Sequence, residues 1–289
     1  MNGSQRNSRA VLFREMHAND SPLLILPNAW DAMSALMLQR CGFAAIGTTS
    51  AGIAASLGLP DGERIGADAM LAAVERISSA VDVPVTADLE AGYGHTPDTI
   101  GELARMAAEA GAVGMNIEDG MPRENGKPML ASAAGQADRI RAVREETVSS
   151  GMPLFINARI DTYWLQIGDS EERLEETIRR AALYREAGAD GIFVPGLSEP
   201  GTIAEVSRRI GLPLNVLAVP GMPRLKTLAE LGVKRVSTGS GPYRAALTML
   251  RRVGTALLQE GSYDGLLQDM ITYGELMDIL AGGREEREG

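Results

Sequence analysis

Cysteine and lysine are nearly absent from this chain, and each scarcity excludes a class of chemistry. The 289 residues contain one cysteine, Cys41, so neither an intramolecular disulfide framework nor a thiolate metal cluster can form. A reducing compartment suits that composition, and a cytoplasmic location is expected. Lysine occurs only at Lys127, Lys226 and Lys234, against 25 arginines, and none of the three stands where an imine-forming lysine would project from the end of a barrel strand. Basic charge is also in deficit, 28 Lys and Arg against 38 Asp and Glu for a net charge of −10. That balance argues against nucleic acid or an anionic membrane as the main partner. No run of apolar residues reaches the roughly 18 that a membrane span requires, and the first 21 residues carry no apolar core of a signal peptide.

Glycine, by contrast, is plentiful and periodic. A helical stretch ending in Gly and followed by a short apolar run recurs as "LMLQRCGFAAIG", "ARMAAEAGAVGMNI", "ALYREAGADGIFV" and "TLAELGVKRVS", with turn glycines at Gly42, Gly111, Gly188 and Gly232. Glycine after a helix takes the left-handed conformation without a Cβ penalty. The apolar runs are continuous instead of alternating, as in strands covered on both faces of a parallel sheet. They predict strands at about 23–27, 43–49, 83–88, 112–117, 153–158, 189–194, 213–218 and 233–237. Eight strands joined by amphipathic helices within roughly 250 residues match an α/β fold of the (β/α)₈ TIM barrel type better than an open doubly wound sheet. The expected organisation is a single domain over 1–289. Its barrel covers about 20–245, a C-terminal helical extension about 246–281, and a flexible tail 282–289. The extension exceeds what closure needs and is available to pack on a neighbouring subunit.

In such a barrel the C-terminal strand ends form the active site, and several of these predicted ends carry charge. The third strand ends at Asp88 with Glu90 two residues on, the fourth at Asn116, Glu118 and Asp119, and the fifth at Asn157, Arg159 and Asp161. If extended geometry continues through Glu90, Asp88 and Glu90 point to one side. Carboxylates converging from neighbouring strands repel one another unless a cation joins them, and an oxygen-only set favours Mg²⁺ or Mn²⁺ over zinc. The competing reading is that they are ordinary loop acids capping helices or pairing with arginine. Arg159 presents a fork suited to a carboxylate or phosphate. The small residues Thr48, Thr49, Ser50, Ala51 and Gly52 let backbone N–H groups approach an anion, and Asp61 lies in a following loop. Tyr93, His95 or a metal-bound water could return a proton. His17 reads as structural, and Cys41, at a helix end, is expected to be buried.

The succession "GTTSAGIAASLGLPD", "VPVTADLEAGYG", "AGAVGMNIEDG" and "INARIDTY" resembles the isocitrate lyase / phosphoenolpyruvate mutase superfamily over about residues 20–245. The resemblance implies a (β/α)₈ barrel, a homotetramer built from dimers that exchange the last helix, and Mg²⁺ holding a 2-oxo acid or enolate. It implies Asp88 as the direct metal ligand, with Glu90 and Glu118 acting through water. It places Thr48, Thr49, Ser50 and Ala51 on the substrate, matches Asp61 to a loop aspartate, and matches Arg159 to the arginine that meets the substrate carboxylate. Isocitrate and methylisocitrate lyases of the family carry a Lys-Lys/Arg-Cys-Gly-His loop; this chain reads "GMPRENGKPML", without Cys or His. A divergent specificity is therefore expected. The expected function is a Mg²⁺-dependent lyase or decarboxylase that cleaves a C–C bond of a small 2-oxo or 2-hydroxy carboxylic acid through a metal-stabilised enolate, with Arg159, Asp61, Tyr93 and His95 as candidate catalytic groups and Asn157 beside the substrate. Phosphoenolpyruvate or phosphonopyruvate mutase or hydrolase chemistry is the alternative, and a non-catalytic metabolite-binding barrel a third.

Overall fold

The computed structural model describes residues 3–94, 96–124 and 127–288. Eleven strands are present among them: β1 (Leu24–Leu26), β2 (Asn28–Ala29), β3 (Ile46–Thr48), β4 (Val85–Asp88), β5 (Gly114–Glu118), β6 (Gly120–Glu124), β7 (Lys127–Leu130), β8 (Phe155–Arg159), β9 (Gly191–Val194), β10 (Leu214–Leu217) and β11 (Val233–Ser237). Nine form one parallel sheet in the order β1-β11-β10-β9-β8-β5-β4-β3-β2. β1 and β2 are two halves of a single strand interrupted at Pro27, which cannot donate to a ladder. One half pairs with β11 and the other with β3, so the sheet closes on itself as the (β/α)₈ barrel. Each of the eight sequence-predicted strands has its counterpart here.

The helices cover the barrel as their periodicity requires. In the helix Ala67–Ala80, Met70, Val74 and Ile77 recur at three or four residues, and all three are fully buried. Each such burial is worth about 1.5–3 kcal/mol relative to exposure. Gly42, Gly111, Gly188 and Gly232 all have φ between 88° and 104°, the left-handed stop that the recurring phrase predicts.

Two regions depart from the expectations, and a third completes the chain. Cys41 is exposed, because as C-cap of the helix Ala32–Arg40 its backbone N–H turns back to Met37 and Gln39 and its side chain leaves the helix on the solvent side. The stretch after β5 is not a plain loop: β6 and β7 form an antiparallel ribbon with Gly120 opposite Leu130 and Met121 opposite Met129. Beyond the barrel, the helix Gly241–Thr255, a π turn and two further helices follow, the last of them Tyr273–Glu288. Of this extension Ile279 is buried, while Leu250, Leu258, Tyr263, Leu267 and Tyr273 are exposed. No helix among the described residues is long and apolar enough to cross a membrane.

The N-terminal end of the barrel is plugged by the helix Gly3–Glu15. Phe13 packs with Leu24, Leu26, Ala45, Val113 and Phe155, all at strand beginnings, and a Cβ on Gly114 would stand 3.0 Å from the Phe13 ring. His17 follows as a buried aromatic, its ring stacked 4.1 Å from that of Phe155 and its Nδ1 donating to the Phe13 carbonyl at 2.8 Å. Burial, reinforced by the charge of Arg235, lowers its pKa from 6.5 to about 4. The unfolded chain therefore binds a proton that the folded chain refuses, and stability present above pH 6.5 is lost as pH falls toward 4, by at most about 3 kcal/mol. Urea unfolding across this window should show a steeper loss for the wild type than for His17→Phe, which keeps the stacked ring; parallel curves would reject the assignment.

Candidate active site

Asp88 closes β4 and is held from three sides. Its backbone N–H donates to Thr48 Oγ1 at 2.8 Å, and its Oδ2 accepts from the Ser50 N–H at 3.1 Å and the Ser50 hydroxyl at 2.9 Å. Asn116 reaches Oδ1 at 3.4 Å, and Asn157 in turn donates to Asn116 Oδ1 at 2.8 Å. Thr48, Asp88, Asn116 and Asn157 stand on β3, β4, β5 and β8, which are successive neighbours in the sheet, so one hydrogen-bonded row crosses four strands. Thr49 caps the helix Ser50–Ser56 through its hydroxyl, and Ala51 occupies the first turn. The anion that the small-residue segment holds in this structure is the Asp88 carboxylate itself.

Glu90 does not continue the strand. Its φ is +52°, and Tyr93 and Glu63 are also left-handed at +51° and +61°, which costs each non-glycine residue of order 1 kcal/mol or more. The three strained residues are tied together. Glu90 accepts from the Glu63 N–H and from the Tyr93 hydroxyl, each at 2.6 Å, and the Glu63 carboxylate accepts from the Tyr93 N–H at 2.7 Å. The expectation that Asp88 and Glu90 share a side by strand alternation is thus corrected, because alternation stops at Asp88. Burial raises the Glu90 pKa against these two donors. Burial and the same Glu90 contact raise that of Tyr93, whose hydroxyl stays protonated.

Glu118 and Arg159, paired across β5 and β8, form an ion pair at 2.5 Å, while Arg159 Nε donates to Asp161 at 2.7 Å. The guanidinium also lies 5.9 Å from the Phe193 ring centre. Burial pushes Glu118 up to about 8, with Arg159 opposing and Asp161, Asp88 and Glu90 adding repulsion. Asp61, 3.4 Å from the Ser50 hydroxyl, is likewise raised, by desolvation first and by Asp88 second. The acids at the mouth therefore resist each other's ionisation, a pattern common to sites that gather a cation or perform acid–base chemistry.

The oxygen-only donors fit a hard divalent ion held by one direct carboxylate. Among the described residues no group of three His, Cys, Asp or Glu is arranged to hold a metal, so Asp88, Glu90 and Glu118 do not make a cage. Mg²⁺ needs none, since it commonly keeps several waters and takes one or two carboxylates. His95 lies outside the described residues. Sequence reasoning missed Glu63, whose only signal is a GER phrase two residues past Asp61. It also missed Asn28, which donates to the Thr48 carbonyl at 2.7 Å and accepts from the Thr238 and Gly239 N–H groups, each at 2.9 Å.

Asp119 has a structural role despite its place in the strand-end cluster. It is fully buried and accepts from Arg180 at 2.9 Å, Tyr184 at 2.7 Å and the Asp161 N–H at 2.9 Å. Removing one partner of such a pair leaves an uncompensated charge. Arg180→Met is expected to lower the free energy of unfolding by about 3–5 kcal/mol in chemical denaturation, and a loss under about 1 kcal/mol would show the pair to be dispensable.

A family description, phosphoenolpyruvate phosphomutase, matches residues 13–258. An uncharacterized protein of Mycobacterium tuberculosis H37Rv is 43% identical over 237 residues, covering 81% of this chain and 84% of that one. The 2-methylisocitrate lyase of Salmonella typhimurium is 31% identical over 284 residues, covering 95% and 93%. Among solved structures, a candidate lyase/mutase from Burkholderia cenocepacia J2315 superposes with a TM-score of 0.89 at 38% identity, covering 96% of this chain and 98% of its own. With the barrel, the ordered motifs and these likenesses in agreement, the chain belongs to the isocitrate lyase / phosphoenolpyruvate mutase superfamily.

Proposed function

We propose that this protein is a Mg²⁺-dependent lyase or decarboxylase that breaks a C–C bond of a small 2-oxo or 2-hydroxy carboxylic acid. One observation carries the reading: Asp88 and Glu118 end adjacent parallel strands and repel each other, with no lysine beside them. Lys234 instead donates to the Asn19 carbonyl at 2.6 Å, ahead of the first strand, and so is not available for imine chemistry at the mouth. The 31% identity to a 2-methylisocitrate lyase supports lyase chemistry, while the ribbon β6–β7 carries neither Cys nor His and points to a different substrate.

Mg²⁺, when bound, would polarise the substrate carboxylate and its adjacent oxygen and stabilise the enolate left by cleavage; Asp88 would hold it, with Glu90 and Glu118 behind water, and Mn²⁺ is an acceptable substitute. Ser50 and Asn116 fix the Asp88 carboxylate. Glu118 and Asp161 hold the Arg159 guanidinium in one plane at the mouth, where its charge attracts the acid. Tyr93, kept protonated, holds its phenol proton on Glu90, and Asp61 stands on the loop above Ser50. The match to the phosphoenolpyruvate phosphomutase description favours one second reading, phosphonate or phosphoenolpyruvate chemistry on the same residues.

A screen of oxaloacetate, other small 2-oxo acids, methylisocitrate-like acids and phosphonopyruvate, with Mg²⁺ and with EDTA, tests both. We expect chelator-sensitive C–C cleavage, and Asp88→Ala should lower kcat/KM by about 100-fold or more. A folded variant losing less than about tenfold would sink the metal role. Phosphorus NMR showing turnover of phosphonopyruvate alone would favour the second reading.

The exposed apolar residues of the C-terminal extension support a further part of the proposal, a cytoplasmic homotetramer in which terminal helices are exchanged. Light scattering on the eluting protein should give four times the chain mass, and a monomer at micromolar concentration would reject it.

A further inference from the structure

Arg235 is the largest fully buried side chain among the described residues, 1% exposed, and it stands in a strand otherwise built for a core. Its β11 neighbours are Asn215 on β10 and Leu24 on β1. Nε donates to the Ser237 hydroxyl at 3.1 Å, and Ser237 is itself bonded to Asn215. Ser237 is two residues farther along β11, hence on the same face and nearer the C-terminal end; this contact draws the guanidinium toward the mouth. The charge of Asp88 is felt at Arg235, although β11 and β4 are not neighbours in the sheet, so the interaction crosses the barrel interior; the Arg235 charge also reaches His17 beneath the barrel.

Nη1 and Nη2 of Arg235 are both buried and have no hydrogen-bond partner among the described residues. A guanidinium has five N–H donors, and here one is satisfied. Two other arginines of the barrel are matched by carboxylates: Arg159 by Glu118 and Asp161, and Arg180 by Asp119 and Glu176. Leaving four donors and a charge unmatched in a low-dielectric interior is strongly unfavourable. Bulk water does not reach these nitrogens, so an anion that meets them must be a bound one. Arg159, to which the resemblance assigns the substrate carboxylate, already faces two protein carboxylates.

We propose that Arg235 is a substrate-binding residue whose free Nη edge receives a carboxylate oxygen of the bound acid from the floor of the barrel. This rests on the reading of the mouth as a site for a small carboxylic acid, and it adds the group that would set preference for a dianionic over a neutral headgroup. The lowered pKa of Arg235, about 9 through burial despite Asp88, agrees with a cation lacking its counter-charge.

Calorimetric titration with oxalate, in Mg²⁺ and separately in EDTA, tests the proposal on wild type, Arg235→Met and Arg235→Lys. The Met variant should bind oxalate about 30-fold more weakly in both buffers, as expected for losing charge-assisted hydrogen bonds. Lys keeps the charge without the fork and should lose about tenfold. In the absence of oxalate, Arg235→Met should melt at the same temperature as wild type or a few degrees higher, because it removes an unmatched buried charge. A structural arginine would instead lower the melting temperature. Unchanged oxalate affinity in either folded variant, no oxalate binding by wild type, or weaker binding accompanied by a lower melting temperature overturns the proposal. Arginine-dependent oxalate binding without turnover of any acid would leave it standing while the lyase reading fails. Chelator-sensitive turnover with unaltered oxalate affinity in the Met variant would do the reverse.

Discussion

Closure of the sheet at Pro27 is the constraint on which the mouth depends. Because β1 pairs with β11 and β2 with β3, the first strand serves two neighbours and stands between the last strand and the second. Asn28, the residue after the break, ties the three together through Thr48, Thr238 and Gly239. A Cβ on Gly47 would stand 2.7 Å from the Asn28 amide nitrogen, so the small residue beside it is a packing requirement. An open sheet with the same strands would scatter Asp88, Glu118 and Arg235 along an edge instead of facing them across one lumen.

At the C-terminal end of the barrel, the charges divide into those completed by the protein and those left for something else. Asp119 with Arg180 and Tyr184 is complete, and it anchors the segment after β5 to the helix Ser170–Glu186. Glu118 with Arg159 and Asp161 is nearly so, two acids sharing one fork. Asp88 is held in place by neutral donors alone, and Arg235 has a single neutral partner. Ion pairs that close on themselves orient structure. The incomplete groups are those whose free energy improves when a cation or an anion arrives, which is why the site assignment rests on them and not on acid count.

Much of this was legible in the sequence, for reasons that differ by element. Each barrel strand is a short apolar run preceded by a helix and a glycine, and both signals are local. The places of Asp88, Glu118 and Arg159 at the ends of β4, β5 and β8 are readable because each closes a short apolar run. Glu90 was misplaced because its φ of +52° is set by contacts with Glu63 and Tyr93, which no periodicity encodes. Cys41 was misjudged because a cap residue's exposure follows from how the helix end meets solvent. The ribbon β6–β7 was hidden by its short polar halves, which read as loop.

Arg235 is the instructive case, since "GVKRVS" places two basic residues in a buried strand and they meet opposite fates. Lys234 is one residue off the lumen face and satisfies its ammonium at Asn19 and Ser21, as a flexible stem with a compact charge can. Arg235, with the parity of Ser237, is buried from solvent and keeps its charge at neutral pH. A chain with 25 arginines and three lysines thus contains cations that stay ionised where a lysine would have neutralised. In a barrel mouth crowded with carboxylates, a permanent cation at the floor and a hard cation at the rim would balance a dianion between them, and the scarcity of lysine becomes a statement about which charges this site can keep.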